Sequence, residues 1–332
     1  MRIGIVTPAP PNSRSGNRIT ALRWAKILRR LGNRVSILQT YDGTPYDLLV
    51  VLHAQRSYPS IIKFHRRNPH AQIIVALTGT DLYRDLRRNH KALKSLKIAN
   101  RIVVLQPKAI EELRPAWPDK ARVIYQSVEA FLEPTSKTKA NKAYLNDQSN
   151  RSFNVCVIGH LRPVKDPFRV ALAARLLPNS SRIRILQMGG AMTDAMAVRA
   201  RTEMLVNPRY EWLGELPQSQ VRRILAKSRL SVVPSRIEGG ANVISEAITA
   251  SVPILASRID GNLGILGGDY PGLFEVGDTQ HLARLMARAE TDPEYLAELR
   301  DRCKKLAPLF DPTREEQAWV DLISELFLIE SE

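Results

Sequence analysis

Short apolar segments alternate with helical patterns along the chain, and this alternation restricts the fold more than any other feature. In the first half the apolar segments are RIGIV, RVSIL, YDLLVVL, AQIIVAL, RIVVLQ and ARVIYQ, and helical patterns such as RITALRWAKILRRLG separate them. Strands that are apolar on both faces are typical of parallel sheets covered by helices on both sides. The sequence therefore predicts a doubly wound α/β architecture.

The alternation stops once and then restarts, so we expect two similar domains in the 332 residues. The polar stretch EPTSKTKANKAYLNDQSN (133–150) lacks apolar periodicity and is predicted to be a linker. It separates an N-terminal domain at 1–132 from a C-terminal domain at 151–311, whose strands are FNVCVIGH, IRILQMGG, RLSVVPS and VPILAS. Ligands bind beyond the carboxyl ends of such strands, so the reaction site is expected in the cleft between the domains. The sequence leaves open whether the helical stretch 312–332 packs on the second domain or crosses back to the first.

The net charge of +16 lies almost entirely in the first domain. Residues 1–132 carry 23 Lys and Arg against 8 Asp and Glu, whereas the remainder carries 26 against 25. A basic domain attracts anionic partners, and this charge fits nucleic acid, membrane phosphates or a phosphorylated small molecule. The basic segments RRNPH, LRRNH and KALKSLK also fit a solvated helix surface. Because few aromatic residues accompany the basic ones, we expect no nucleic-acid partner.

Other features bear on the compartment and on metals. The two cysteines, Cys156 and Cys303, have no CxxC or CxxH partners, so neither a disulfide framework nor a zinc site is predicted. The beginning MRIGIVTPAP lacks the features of a signal peptide, and no apolar run approaches the roughly 20 residues of a membrane helix. We expect a cytoplasmic protein without integral membrane contact or bound metal, and the oligomeric state stays open.

The segment PSRIEGGANVISEA (234–247) surrounds a glycine turn with two glutamates. Gly239 and Gly240 allow close approach of a ligand, and the N–H groups at the following helix start suit a diphosphate. Glu246 would repel a phosphate, so we expect it to accept hydrogen bonds from ribose hydroxyls and Glu238 to accept them from a sugar. Two solvent-facing acids are the alternative interpretation.

A second anion-binding feature follows the strand FNVCVIGH. Arg162 and Lys165 lie beyond the end of this strand, where their cations would meet the diphosphate. Asp166 is expected to cap the next helix, with Pro167 at its first position. A solvated pair of cations is the alternative.

The order of these motifs resembles that of the GT-B glycosyltransferases of family 4. The matching features are Gly159, Arg162 and Lys165, then WLGEL, then the two glutamates of PSRIEGGANVISEA with seven residues between them, then ASVPILAS. The resemblance covers nearly the whole chain and implies a GT-B fold, in which two Rossmann-like domains face a cleft. It also implies a nucleotide-sugar donor in the C-terminal domain. The sequence Gly240-Ala241-Asn242 departs from the commoner family pattern, so that Asn242 adds a polar group there.

The resemblance assigns roles to these residues. The implied donor-binding residues are Gly159, Arg162, Lys165, Glu238, Gly239, Gly240, Ala241, Asn242, Val243 and Glu246. Negative charge grows on the phosphates of the leaving group, and the two cations with the helix end would stabilise it without a metal. The implied catalytic residues are His53, Arg162, Lys165 and Glu238.

The loop TPAPPNSRSGNRITALRWAKILRRLG places arginines at a second helix N-terminus, which suits another anion. With YDLLVVLHAQRS and LTGTDLY, it resembles the subgroup that includes the selenosugar synthases of selenoneine biosynthesis. Those enzymes use a UDP-sugar, typically UDP-N-acetylglucosamine, and selenophosphate, so the resemblance implies a 1-selenosugar product. A family 4 transferase with an alcohol acceptor, on a glycan or a lipid, is the alternative.

On the acceptor side, the implied binding residues are Arg14, Gly16, Asn17, Arg18, His53, Arg56, Thr80 and Asp81. A basic domain would help to gather two anionic substrates. A selenium nucleophile is already largely ionised near neutral pH, so His53 would orient or bind the acceptor rather than act as a general base. The alternatives are a histidine that caps a strand end and an Asp81 that caps a helix. The anomeric outcome and the removal of phosphate from selenium stay open.

Overall fold

A computed structural model describes residues 1–13, 15–79, 81–86, 89–113, 116–129 and 152–328. Arg14, Thr80 and the predicted linker lie outside the described residues. The chain forms two compact units. The first consists of Met1–Ser127, Glu238–Asn242 and Leu309–Glu332, and the second of Val128–Ile237 and Val243–Pro308. The exact limits predicted for the domains stay a prediction.

The first unit contains a six-stranded parallel sheet in the order β2-β1-β3-β4-β5-β6. Two of its strands are buried at every position, which explains their unbroken apolar sequences. The strand order reverses between β1 and β3. The strands are β1 (Arg2–Val6), β2 (Arg34–Leu38), β3 (Leu48–Leu52), β4 (Gln72–Leu77), β5 (Arg101–Val104) and β6 (Ala121–Val123), and the helices between them are α1 (Gly16–Arg30), α2 (Tyr58–Arg67) and α3 (His90–Ile98).

The second unit repeats this plan with a parallel sheet in the order β12-β11-β10-β7-β8-β9. Its order reverses between β7 and β10. The strands are β7 (Phe153–Ile158), β8 (Ile183–Met188), β9 (Tyr210–Trp212), β10 (Leu230–Val233), β11 (Ile254–Ser257) and β12 (Leu273–Phe274). The helices are α4 (Arg169–Ala174), α5 (Asp194–Val206), α6 (Gln218–Lys227), α7 (Asn242–Thr249), α8 (Asp260–Leu266), α9 (Thr279–Thr291) and α10 (Pro293–Leu306).

Two parallel, doubly wound sheets confirm the predicted fold class. The helix cap predicted at Asp166 is wrong. Asp166 lies in the left-handed region (φ 43°) at the end of the short turn Pro163–Lys165, and α4 begins three residues later with Phe168 at its N-cap. None of the helices among the described residues is long and apolar enough to span a membrane.

The last helix, α11 (Pro312–Leu328), belongs to the first unit. Its Trp319 packs edge-on against Trp24 of α1, with ring centroids 5.0 Å apart. Leu322 and Leu326 join the same buried cluster. The chain therefore returns to the first sheet at its end, which the sequence had left open.

Candidate active site

The two segments with predicted donor-binding residues follow neighbouring strands of the second sheet. Gly159–Lys165 follow β7, and the loop that begins at Ser235 follows β10. The strand order of the sheet reverses between these two strands. In open α/β sheets this reversal opens the crevice in which ligands bind. The fold therefore brings the ends of both segments to one point of the sheet.

Contacts within the second unit fix these two segments to each other. The Arg236 N–H donates to the Val164 carbonyl at 2.8 Å. The Asp166 carboxylate accepts hydrogen bonds from Arg169 Nε at 3.0 Å and from Arg236 Nη2 at 3.4 Å. Asp166 thus joins the turn that carries Arg162 and the loop after β10. Sequence reasoning missed Arg236 because its partner lies 70 positions away.

The turn after β7 is also bonded to the end of β8. Gln187 Nε2 donates to the Gly159 carbonyl at 3.1 Å, and His160 Nδ1 accepts the Gly190 N–H at 3.1 Å. Beyond these bonds, Arg162 is exposed and Lys165 is half-buried. Both predicted cations therefore project from a backbone that its neighbours hold in place.

Glu246 lies on α7 and faces a cation from the preceding helix. Its Oε1 lies 3.9 Å from Arg222 Nε on α6, and both side chains are largely buried. At this distance the two opposite charges attract each other, without a hydrogen bond from Arg222 Nε. The arrangement suits an acceptor for hydroxyl groups. The sequence did not single out Arg222.

The loop Glu238–Asn242 belongs to the first unit, and its glycines are required by close approach to the chain itself. A Cβ on Gly239 would lie 2.5 Å from the carbonyl carbon of Thr78, and one on Gly240 would lie 2.6 Å from the Cβ of Leu105. Both distances are below any normal contact. Any side chain at either position would force the loop to move.

The other predicted donor residues lie beside these glycines. Ala241 is buried, whereas Glu238 and Val243 are half-buried. Asn242 Oδ1 accepts a hydrogen bond from Arg23 Nη2 of α1 at 3.1 Å. Asn242 thus has Arg23 as a partner within the same unit, and its role toward a donor stays a prediction.

The predicted acceptor residues follow β1, β3 and β4, and the strand order of the first sheet reverses between β1 and β3. After β1, Gly16 is exposed and Asn17 and Arg18 are half-buried in the first turn of α1. This turn contains no acidic residue, and Ser15 precedes it without a side-chain cap. Arg18 Nε is buried, and no described residue accepts its hydrogen bond. The chemistry of this turn suits an anion.

His53 follows β3 and is buried, with only 3% of its surface exposed. Its backbone is in the left-handed region, with φ 71°, which costs energy for a residue other than glycine. Nδ1 accepts the N–H of Arg56 at 3.3 Å, so a neutral His53 carries its proton on Nε2. The Arg56 side chain itself is exposed.

Asp81 is fully buried beside His53. Its carboxylate accepts the N–H groups of Ala54 at 3.3 Å, Thr78 at 3.2 Å and Gly79 at 2.9 Å. Burial raises the pKa of Asp81, while the charge of His53 and the backbone hydrogen bonds oppose the rise. These contacts organise the ends of β3 and β4, and direct acceptor binding by Asp81 stays a prediction.

Comparison with known proteins assigns the family. The family model "Glycosyl transferases group 1" matches residues 144–309. The chain belongs to this family. The matched residues include the two turns at the reversal of the second sheet, together with Glu238 and Glu246.

Curated relatives of this glycosyltransferase are distant. A Xenopus tropicalis "Glycosyltransferase 1 domain-containing protein 1" is 25% identical over 68% of each chain. An Escherichia coli UDP-Gal:alpha-D-GlcNAc-diphosphoundecaprenol alpha-1,3-galactosyltransferase is 27% identical over 64% of this chain and 54% of its own length. The Bacillus anthracis N-acetyl-alpha-D-glucosaminyl L-malate synthase is 23% identical over 82% and 77%.

Solved structures share the GT-B fold with this glycosyltransferase. Sucrose-phosphate synthase from Thermosynechococcus elongatus has a TM-score of 0.78 at 16% identity and covers 99% of both chains. Anabaena Alr3699/HepE in complex with UDP-glucose has a TM-score of 0.78 at 14% identity and covers 98% of this chain and 100% of its own. At such identities the likeness concerns the fold.

Proposed function

We propose that this glycosyltransferase transfers N-acetylglucosamine from a UDP-sugar to selenophosphate and forms a 1-selenosugar for selenoneine biosynthesis. The observation that carries the donor half is the meeting of two anion-binding turns at the reversal of the second sheet. The E. coli relative is named for UDP-Gal, and the HepE structure is a complex with UDP-glucose, which supports the same donor class here.

In this proposal the donor lies across the ends of β7 and β10. Arg162, Lys165 and the N–H groups at the start of α7 hold the diphosphate. Glu246 accepts hydrogen bonds from the ribose hydroxyls, and Arg222 lies beside it at 3.9 Å. Glu238 reaches the transferred sugar. Because the sequence at Ala241 and Asn242 departs from the commoner family pattern, the preferred sugar must be determined by experiment.

The proposed reaction forms a bond from selenium to the anomeric carbon and breaks the bond from that carbon to the diphosphate oxygen. The bonding electron pair leaves with UDP, so negative charge grows on the diphosphate. Arg162 and Lys165 then stabilise the transition state more than the ground state. We propose that no metal is needed, since these cations supply the required charge. Water must later cleave the phosphorus–selenium bond.

The acceptor half of the proposal uses the first unit. The acid-free first turn of α1 and the buried Nε of Arg18 suit a small anion. The B. anthracis relative is named for L-malate, which is also a small anion. His53 orients the acceptor rather than deprotonating it, because a selenium nucleophile is already ionised.

The second candidate is transfer to an alcohol on a lipid or a glycan. The E. coli relative favours it, because that enzyme is named for a diphosphoundecaprenol acceptor. An alcohol needs a general base at the moment of attack. His53 can take that proton only as the tautomer protonated on Nδ1, which gives up the hydrogen bond from the Arg56 N–H. In that case, replacing His53 would affect an alcohol acceptor more than selenophosphate.

The deciding assay incubates the purified protein with UDP-N-acetylglucosamine, with and without selenophosphate, and follows UDP release and product mass. We expect UDP release to require selenophosphate and the product to contain selenium. UDP release that ignores selenophosphate would exclude the selenosugar and keep the family. UDP-glucose and UDP-galactose in parallel identify the preferred sugar.

A pair of variants tests the acceptor site. Arg14→Ala and Arg18→Gln should raise KM for selenophosphate about tenfold or more while KM for the donor stays unchanged, because each removes a charged hydrogen bond. Arg34→Gln, at an exposed arginine of β2, is the matched control. Equal effects of Arg18→Gln and Arg34→Gln would remove the assignment.

A further inference from the structure

A groove with a volume of about 490 Å³ opens on the first unit. It lies between α2 and the first turn of α3. We call it the basic groove, and its lining residues are Tyr58, Pro59, Ile62, Lys63, Arg66, Arg67 and Lys91. None of them belongs to the predicted donor or acceptor site.

The cations of the basic groove form no ion pairs among the described residues, although the exposed Asp42 is the chain neighbour of Tyr41 and Gly43, which Lys63 and Arg67 approach. Lys63, Arg66, Arg67 and Lys91 are all exposed, and no lining residue is acidic. No carboxylate among the side chains that the structure describes pairs with any of the four. Lys63 instead donates to the Tyr41 carbonyl at 3.4 Å and lies over the Tyr41 ring. The groove is therefore a concentrated positive charge that faces solvent.

The same charge continues along α3, next to the groove. His90, Lys94 and Lys97 are exposed on this helix, and Leu93 among them exposes 37% of its surface. Within the groove, Pro59 is exposed and Ile62 half-buried. The surface thus combines many cations with a few apolar groups.

This combination distinguishes between the possible anionic partners. A site for one small anion has converging, largely buried cations, whereas these cations are exposed and spread over two helices. Single-stranded nucleic acid requires several aromatic platforms, and Tyr58 is the one aromatic residue in the lining. Clusters of exposed Lys and Arg with small apolar groups are typical of surfaces that bind anionic lipids.

We propose that the basic groove and the exposed face of α3 bind the surface of a bilayer that contains anionic phospholipids. The headgroup phosphates lie against Lys63, Arg66, Arg67 and Lys91, and Leu93 enters the headgroup layer. This contact is peripheral and does not depend on which acceptor the enzyme uses. It gives a role to part of the excess positive charge of residues 1–132.

The size of the effect follows from the charge. Each Lys or Arg close to an anionic bilayer strengthens binding about fivefold. Loss of all four groove cations should therefore weaken binding by at least about a hundredfold, and salt should weaken the binding of the natural protein as well.

The test is sedimentation of the full chain with vesicles of phosphatidylcholine, with and without phosphatidylglycerol. The groove variant is K63Q/R66Q/R67Q/K91Q. The matched control is R201Q/R229Q/R284Q/K305Q, which removes the same charge from the second unit. Circular dichroism melting checks that both variants fold. We expect the natural protein and the control to bind only the anionic vesicles, and the groove variant to lose this binding.

Three outcomes would overturn the proposal: no binding of the natural protein to anionic vesicles, equal binding to neutral vesicles, or equal loss in both variants. Poly(U) RNA is tested in parallel as the alternative ligand. If RNA binds through the groove cations and vesicles do not bind, RNA replaces the anionic bilayer as the partner. UDP release in lipid-free solution should be unchanged in both variants. UDP release tests the proposed reaction and vesicle sedimentation tests the bilayer contact, so either proposal can be rejected without the other.

Discussion

Arg222 Nε lies 3.9 Å from Glu246 Oε1, between two helices of the second unit. The two side chains are 24% and 13% exposed, so the attraction between them is screened less than in a surface pair. The attraction of the cation favours one orientation of the carboxylate. This is the property needed to accept hydrogen bonds from neutral hydroxyl groups.

Replacement of Glu246 should weaken donor binding. Glu246→Gln removes the charge of the acceptor, and a hydrogen bond to a charged group contributes about 1.5–3 kcal/mol, so KM for the UDP-sugar should rise about 10- to 100-fold. Steady-state kinetics and calorimetry with UDP measure the effect. Glu298→Gln, at an exposed glutamate of α10, is the control. A donor KM that does not differ between the two variants would remove Glu246 from the donor site.

A methyl group at Gly239 should impair catalysis more than a methyl group at Gly268. The Cβ of Gly239→Ala would meet the carbonyl carbon of Thr78 at 2.5 Å, whereas a Cβ on Gly268 meets nothing within 4 Å. The loop must shift in the first variant, so kcat/KM should fall at least about tenfold, since displacements of about 1 Å can cost a hundredfold. Gly268→Ala should retain full activity. Equal activity of the two variants would show that the loop tolerates the displacement.

The stability of the first unit should depend on the protonation of Glu315. This residue is buried at 2% exposure and accepts hydrogen bonds from Trp24 Nε1 and the Ser127 N–H, both at 2.9 Å. Burial raises its pKa above 4.5, and the charge of Arg23 and these hydrogen bonds oppose the rise. The folded state therefore binds the proton more tightly than the unfolded state, so this group's contribution to stability is full below pH 4.5 and falls as pH rises through the raised pKa.

The comparison that isolates this effect is Glu315→Gln, in which position 315 cannot titrate. The difference in free energy of unfolding between the natural protein and this variant should decrease from pH 4.5 upward, as measured by urea unfolding at several pH values. Glu316→Gln on the same helix breaks an exposed pair with Arg30 and should change stability by less than about 1 kcal/mol. A difference that grows with pH for Glu315→Gln would contradict the assignment.

Removal of the Trp319 ring should destabilise the first unit. Trp319 is fully buried against Trp24, and a buried Trp→Ala change costs about 3–5 kcal/mol. Urea unfolding monitored by circular dichroism measures the loss. Val198→Ala, at a position 54% exposed on α5, should lie within about 0.5 kcal/mol of the natural protein. A small loss for Trp319→Ala would mean that α11 contributes little to this core.

The sequence predicted the features that depend on local pattern. Apolar strands such as β3 and β4 were recognised because both faces of each are buried. The donor role of the segment with Glu238 and Glu246 stays a prediction. The strands β9 and β12 were missed, since three residues and two residues carry no periodicity. Arg222 and Arg236 were missed because their partners are distant in the chain. Asp166 was misassigned because a left-handed conformation there is fixed by the surrounding turn rather than by the residue type.

The return of α11 to the first sheet has a consequence for biosynthesis. The strands of the first unit precede the second unit in the chain, yet Trp319, Leu322 and Leu326, which cover part of the first unit's core, follow the second unit. Throughout synthesis of the second unit, the apolar surface around Trp24 is therefore uncovered. Until α11 has been translated, this exposed apolar surface favours aggregation of the nascent chain.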